Sequence, residues 1–273
     1  MPRVLCIDEI RFTSSDFSKY ACIISDFETR TIIDICFSRR LDYLNQYFSE
    51  IPLKERENVQ IFISDMYDGY ATVCKKFFPN AIHIVDLFHV VSLLTTTINM
   101  IRNRVQNLYL EKGSPEYNFM SSHWRFFVCR YDKIPSLFYK HKKTNIHYEY
   151  ANIFNRCLNV NSTLCEGYNI LQELLNYSDY YTFEEALNFV NRIVNKLQLT
   201  GNELLKKVAK SYHKWRYEIA NGFNKRKTNF SYSNAVAENL NNHIKTLIKC
   251  SYGLRNPERM RKRILYIEQN KKA

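Results

Sequence analysis

The sequence predicts an α/β fold, a mixed sheet built in the order β-β-β-α-β-α-β and followed by a long helical region. Three observations predict it. Short, continuous apolar runs recur through the first ninety residues, each bounded by polar or turn-forming residues. From about residue 88 that pattern gives way to apolar residues at helical spacing. Near the end, SNAVAENLNNHIKTLIK reads as one amphipathic helix with an acid on its polar side.

Val4 to Ile7 is the first run, and it stops at Asp8. Tyr20 to Ser25 and Thr31 to Phe37 follow, separated by the polar turn DFETR, which predicts an antiparallel meander. Leu41, Leu44, Phe48 and Ile51 recur at helical spacing. Ile61 to Ser64 is the fourth strand and stops at Asp65. Tyr70, Val73, Cys74 and Phe77 mark a short helix ended by Pro79. Ala81 to Val85 is the fifth strand and stops at Asp86. A meander followed by alternating units makes a mixed sheet with helices packed on it.

Beyond residue 88 strands are expected to disappear. Leu94, Ile98, Ile101, Val105 and Leu108 form the stripe of one long helix. Thr182 to Glu185 is a capping box, opening a helix with Leu187, Val190, Val194 and Leu197 inward and closed by Gly201. Val208, Tyr212, Trp215 and Ile219 share one face of another helix, and Trp124 to Phe138 is a less regular piece. In the final helix, Ala237, Leu240, Ile244 and Leu247 make the apolar stripe. Glu238, Asn241, Asn242, Lys245 and Lys249 make the polar one.

Composition narrows the class. The 273 residues are 45% hydrophobic and 15% aromatic, which fits a folded chain and excludes a disordered one. The formal net charge of +12 points to an acidic partner, with nucleic acid foremost. Lys206, Lys207, Lys210, Lys214, Arg216 and residues 225–227 concentrate the surplus before Glu238. Arg255, Arg259, Arg261, Lys262 and Arg263 concentrate it after. Tyr212, Trp215 and Phe223 lie among these cations at core spacing and are read as core, not as stacking platforms. None of the eight cysteines forms a C-x-x-C pair, so they read as buried thiols of a reducing compartment. No apolar run approaches the ~18 residues of a membrane span and no signal pattern opens the chain. A cytoplasmic protein, nucleoid-associated when bound to DNA, is expected.

Strand ends gather distant residues at one edge of a sheet. Asp8 and Asp65 both end charge-free apolar runs, whereas Asp26 and Asp34 read as turn or structural acids. Carboxylates gathered in this way repel unless a cation neutralises them, and hard oxygen donors select Mg²⁺ or Mn²⁺. Asp68, three residues after Asp65, reads instead as a first-turn helix acid.

These motifs resemble the DDE transposases of bacterial insertion sequences, most closely the ISL-three family. The resemblance runs from Cys6 to about Tyr266 and rests on IDEI, SDMYDGY, FFPNAIHIVDLFHVV, SNAVAENLNNHIK and SYGLRN in that order. It implies an RNase H-like sheet with a large all-helical insertion before the last acidic helix. On that basis residues 1–89 are the first part of the catalytic domain, 90–228 the insertion, and 229–273 the final helix and basic C-terminal segment. The resemblance implies that Asp8, Asp65 and Glu238 are the catalytic, metal-binding triad for two Mg²⁺ (or Mn²⁺) ions. Asp8 would bridge both ions, Asp65 would hold one and Glu238 the other. The implied activity is cleavage of DNA at insertion-sequence ends and strand transfer to target DNA, by a homo-oligomer in the synaptic complex.

Asp86 and His89 match a D-x-x-H motif of this and related groups, as a supporting pair or a structural one. Asn234 and Asn242 match the family pattern around the last acid, Asn234 as a helix N-cap. Lys245, Lys249 and Arg255 are read as DNA-phosphate contacts. Ala235 and Asn239 stand where the family commonly has glycine, and neither departure removes a ligand. Family members usually carry an N-terminal zinc-binding segment and a helix-turn-helix region. Met1 stands just ahead of the first strand, so a truncated copy, a separate catalytic fragment or half of a split gene is expected. Two rival functions stay open: a nuclease of the same fold without strand transfer, and an inactive DNA-binding remnant.

Overall fold

The computed structural model describes residues 1–11, 20–177, 182–224, 242–247, 249–250 and 256–270. It divides into two compact units, Met1–Phe88 with Asn229–Ala273, and His89–Thr228.

The first unit is built on a five-stranded sheet in the order β3-β2-β1-β4-β5. β1 (Val4–Arg11), β2 (Tyr20–Asp26) and β3 (Thr31–Cys36) form the expected antiparallel meander. Its second turn closes tightly, with Arg30 at φ 57° and Asp26 Oδ1 accepting from the Glu28 N–H at 2.9 Å. β4 (Ile61–Ser64) and β5 (Ile82–Val85) join β1 in parallel. All four residues of β4 are buried, as a central strand covered on both faces requires.

The side-chain alternation of the strands divides the core between the two faces. On one face Leu5, Ile7, Cys22, Ile24 and Phe62 pack with α1 (Leu41–Ser49) and α3 (Asp68–Phe77) through Leu44, Phe48, Val73 and Phe77. The short α2 (Leu53–Arg56) lies between them in sequence. On the other face Val4, Cys6, Ile61, Ile63 and Ile84 form one cluster. Ile10, Ala21, Ile23, Ile32 and Ile35 form a second, closed by Ile244, Met260 and Ile264. The last two belong to the C-terminal helix Pro257–Asn270.

Asp34 is structural, but not as a turn residue. Arg261 of the C-terminal helix donates to its two oxygens at 2.6 and 2.7 Å, and the Tyr47 hydroxyl donates at 2.9 Å. Arg261 is therefore spent on a tertiary ion pair and not held out for phosphate.

The second unit contains most of α4 (Leu87–Tyr109), then α5 (Pro115–Ser122), α6 (Tyr150–Leu158), α7 (Ser162–Leu175), α8 (Phe183–Leu199), α9 (Glu203–Lys214) and α10 (Arg216–Phe223). Thr182 and Glu185 form the reciprocal capping box of α8, and Gly201 follows it at φ +71°. Tyr212, Trp215 and Phe223 are buried, as core residues should be.

Three expectations fail here. Strands do not vanish, because Phe138–Lys140 pairs with His147–Glu149 in a short hairpin, β6 and β7. Three-residue strands carry too little alternation to be read from sequence. Leu108 is 76% exposed, because the α4 stripe runs on one turn past the packing that buries Val105. Leu187 is half-buried, and the α8 core stripe is Ala186, Phe189, Val190, Ile193, Val194 and Leu197.

Candidate active site

The register of the parallel strands decides where the acids stand. β1 and β4 pair as Val4↔Ile61, Leu5↔Phe62 and Cys6↔Ile63. Extended by two residues, that register sets Asp8 level with Asp65. β4 and β5 pair up to Ser64↔Val85, and the ladder continues where the Asp86 N–H donates to the Ser64 carbonyl at 2.9 Å. Asp65 is therefore level with Asp86 as well. Level residues on parallel strands point to the same face, and neighbouring strands lie about 4.8 Å apart. Asp8, Asp65 and Asp86 thus form a row across three adjacent strands. The row continues the face of Cys6, Ile63 and Ile84.

The thiol of Cys6, just inside the row, gives a second sign of this placement. Burial raises its pKa most, and the charges of Asp8 and Asp86 raise it further. Asp8 Oδ1 accepts from the Glu9 N–H at 2.7 Å, and Oδ1 of Asp65 is buried. Asp86 Oδ1 accepts from the Phe88 N–H at 3.0 Å, so it caps α4 while standing in the row. His89, in the first turn of α4, is half-buried and belongs to the second unit.

A helical stretch at 242–247 bears on the same face. Ile244 packs with Ile10 and Ile23, and Ile23 is the cross-strand partner of Asp8. Asn242, Lys245 and Lys249 are exposed. Glu238, Asn234 and Arg255 lie outside the described residues. Among the described residues, no group of three or more His, Cys, Asp and Glu is arranged to hold a metal ion. Asp8 and Asp65 nonetheless fit the demands of Mg²⁺ or Mn²⁺ in donor chemistry: both are hard anionic oxygen donors, carried level with each other by neighbouring strands.

Several polar residues of this region carry no functional signal in the sequence, where Tyr70 marks only the apolar stripe of a helix. Arg39 Nη1 donates to both Glu9 oxygens at 2.9 and 2.8 Å, and the Tyr70 hydroxyl donates to Glu9 Oε1 at 3.2 Å. Below Asp65, His83 Nε2 and Ser64 Oγ lie 2.9 Å apart, and Ser64 Oγ donates to the Asp65 carbonyl at 3.0 Å. No spacing rule joins such residues, since each comes from a different element.

Burial lowers the His83 pKa from 6.5 to about 4. The folded protein thus keeps this imidazole neutral where the unfolded chain binds a proton. Stability from His83 is complete above pH 6.5 and is lost as pH falls toward 4, by roughly 3 kcal/mol at about 1.36 kcal/mol per pKa unit. His83→Phe should flatten that part of the urea-unfolding profile between pH 6.5 and 4. An unchanged pH slope would show that another group carries the acid sensitivity.

The sheet order and the row of acids, Asp8 inside β1 and Asp65 and Asp86 just past β4 and β5, define the RNase H-like class. Residues 5–264 match a family model described as Transposase, and the chain belongs to the ISL-three family of DDE transposases. A relative from Lactococcus lactis subsp. lactis, whose name reads "ATP-dependent protease", is 32% identical over 127 residues. That match covers 45% of this chain, which spans only 37% of the relative's length. No solved structure is a significant match. Among the described residues, no helix is long and apolar enough to cross a membrane.

Proposed function

We propose that this chain is the catalytic part of a transposase that cleaves DNA at insertion-sequence ends and transfers the freed strand to target DNA. The observation that supports this reading is the parallel register of β1 and β4, which runs to Cys6↔Ile63 and, carried on by two residues, sets Asp8 level with Asp65. Two negative charges this close are costly without a cation between them. Their strands are buried and hydrogen-bonded, so the oxygens are held in place before any ligand arrives.

Asp8 would bridge two divalent ions, Asp65 would hold one of them, and Glu238, by its motif, the other. When bound, such a pair supplies charge stabilisation to the attacking and leaving oxygens of an in-line displacement. Asp86, Asn234 and Asn242 would support the acids, with His89 orienting Asp86 or meeting DNA. Lys245 and Lys249, on exposed positions next to Ile244, would meet the phosphate backbone, joined by Arg255. The chain would act as a homo-oligomer that pairs two ends. Residues 1–89 and 229–273 would form the catalytic domain and 90–228 its insertion.

The test is incubation of the purified chain with Mg²⁺ and DNA carrying the element's terminal inverted repeats. Joined products are expected, whereas nicks without joining would leave a nuclease. Asp65→Asn should abolish both products while the far-ultraviolet circular dichroism stays unchanged. A fully active Asp65→Asn protein would sink the proposed site.

A further inference from the structure

We infer that Glu9, Arg39 and Tyr70 are positioning residues: a polar clamp on the opposite face of the sheet that fixes the spacing of Asp8 and Asp65. The inference rests on the metal-site reading of those two acids.

Glu9 follows Asp8 directly, so strand alternation turns its side chain to the other face. Its carboxylate is only 14% exposed. It is met by the Arg39 guanidinium at 2.8 Å and by the Tyr70 hydroxyl at 3.2 Å. Charge-assisted hydrogen bonds of this kind are the strong ones. Tyr70 is fully buried in the first turn of α3, and its hydroxyl lies 3.1 Å from Cys22 Sγ of β2. Arg39 also lies over the rings of Tyr20 and Tyr67, at 5.0 and 5.1 Å from their centroids.

These contacts converge on the two acid-bearing segments. One end of the clamp is the residue after Asp8. The other ends are Tyr67 and Tyr70, two and five residues after Asp65. The chain between Asp65 and α3 is thereby tied to β1 from behind, where it cannot obstruct the acids. Gly69 belongs to the same device, since a Cβ there would come within 2.4 Å of the Tyr67 ring. A side chain at that position would displace one of the rings under Arg39. The clamp therefore acts at a distance, by setting how far the strand carrying Asp8 stands from the loop leaving Asp65. Partners hydrogen-bonded directly to metal ligands are typically worth about 10- to 100-fold in metal affinity, and a clamp that acts through the backbone is expected at the lower end.

The experiment is Mn²⁺ titration of the full chain by calorimetry, with unfolding measured separately in EDTA. Glu9→Gln and Tyr70→Phe probe the buried end of the clamp. Arg39→Gln probes its solvent-facing end, where the side chain is 40% exposed and the fold is expected to survive. Each should weaken Mn²⁺ binding about 10-fold. Phe154→Leu, a core change in the other compact unit, should lower stability and leave affinity unchanged. Binding lost in Asp65→Asn but unchanged in all three clamp variants overturns the clamp alone. Wild-type binding retained in Asp65→Asn overturns the metal site and the clamp with it.

Discussion

Asp8→Asn is expected to lower Mg²⁺-dependent DNA cleavage by about three orders of magnitude, with thermal unfolding little changed. The amide keeps the shape of the side chain and can still accept the 2.7 Å bond from the Glu9 N–H. It loses the charge and the hard anionic oxygens that a divalent ion needs. Loss of about 4 kcal/mol of transition-state stabilisation corresponds to that rate. Asp86→Asn should behave differently, although Asp86 stands in the same row. Its Oδ1 already accepts from the Phe88 N–H, and an asparagine caps a helix as well as an aspartate. A reduction of ten-fold or less is expected. Single-turnover cleavage of the two variants, compared at saturating Mg²⁺, makes the distinction. Equal losses would show that Asp86 acts as Asp8 does, and a full-rate Asp8→Asn protein would remove Asp8 from the site.

Arg261→Met is expected to cost about 3 kcal/mol of folding stability, by comparison with broken buried ion pairs. Asp34 is only 12% exposed in its side chain, so removing Arg261 strands a carboxylate away from water. Tyr47 and the Ile35 N–H remain as donors, at 2.9 and 2.7 Å, and moderate the loss. Asp34→Asn should cost less. Arg261 is 30% exposed and can turn its guanidinium to solvent when its partner is gone. The asymmetry is measurable by urea unfolding, and the coupling by a double-mutant cycle. Equal costs for the two single variants would show that burial does not set the balance. Met260 and Ile264, on the same helix, lie on the face that carries Asp8. Cleavage per folded molecule is therefore expected to fall in Arg261→Met as well.

Much of this protein was legible from its residues. Continuous apolar runs such as Ile61 to Ser64 can be satisfied only by a strand buried on both faces, and that is what β4 is. Thr182 and Glu185 carry the start of α8 in their own chemistry, because a capping box is a local contract between two side chains and two N–H groups. Asp65 was legible as an acid at a strand end. Asp8 also closes an apolar run, but it lies inside β1, which runs on to Arg11 because antiparallel pairing with β2 continues past it. The hairpin of Phe138–Lys140 with His147–Glu149 was not legible. Its exposed, three-residue strands bury almost nothing, so no hydrophobic period marks them.

What the sequence by itself determined is most of the helices and long strands, because these answer to local periodicity. The tertiary structure alone decided which strands lie side by side and in what register. That placed Asp8, Asp65 and Asp86 in one row and sent Glu9 to the opposite face, into the grip of Arg39 and Tyr70. Arg261 reads in sequence as one more surface cation, and only the fold pairs it with Asp34, far along the chain in β3. The physical reason is common to these cases. Register and ion pairing are chosen by the burial of whole faces and by the cost of leaving a charge unmatched. Neither quantity exists until distant segments meet.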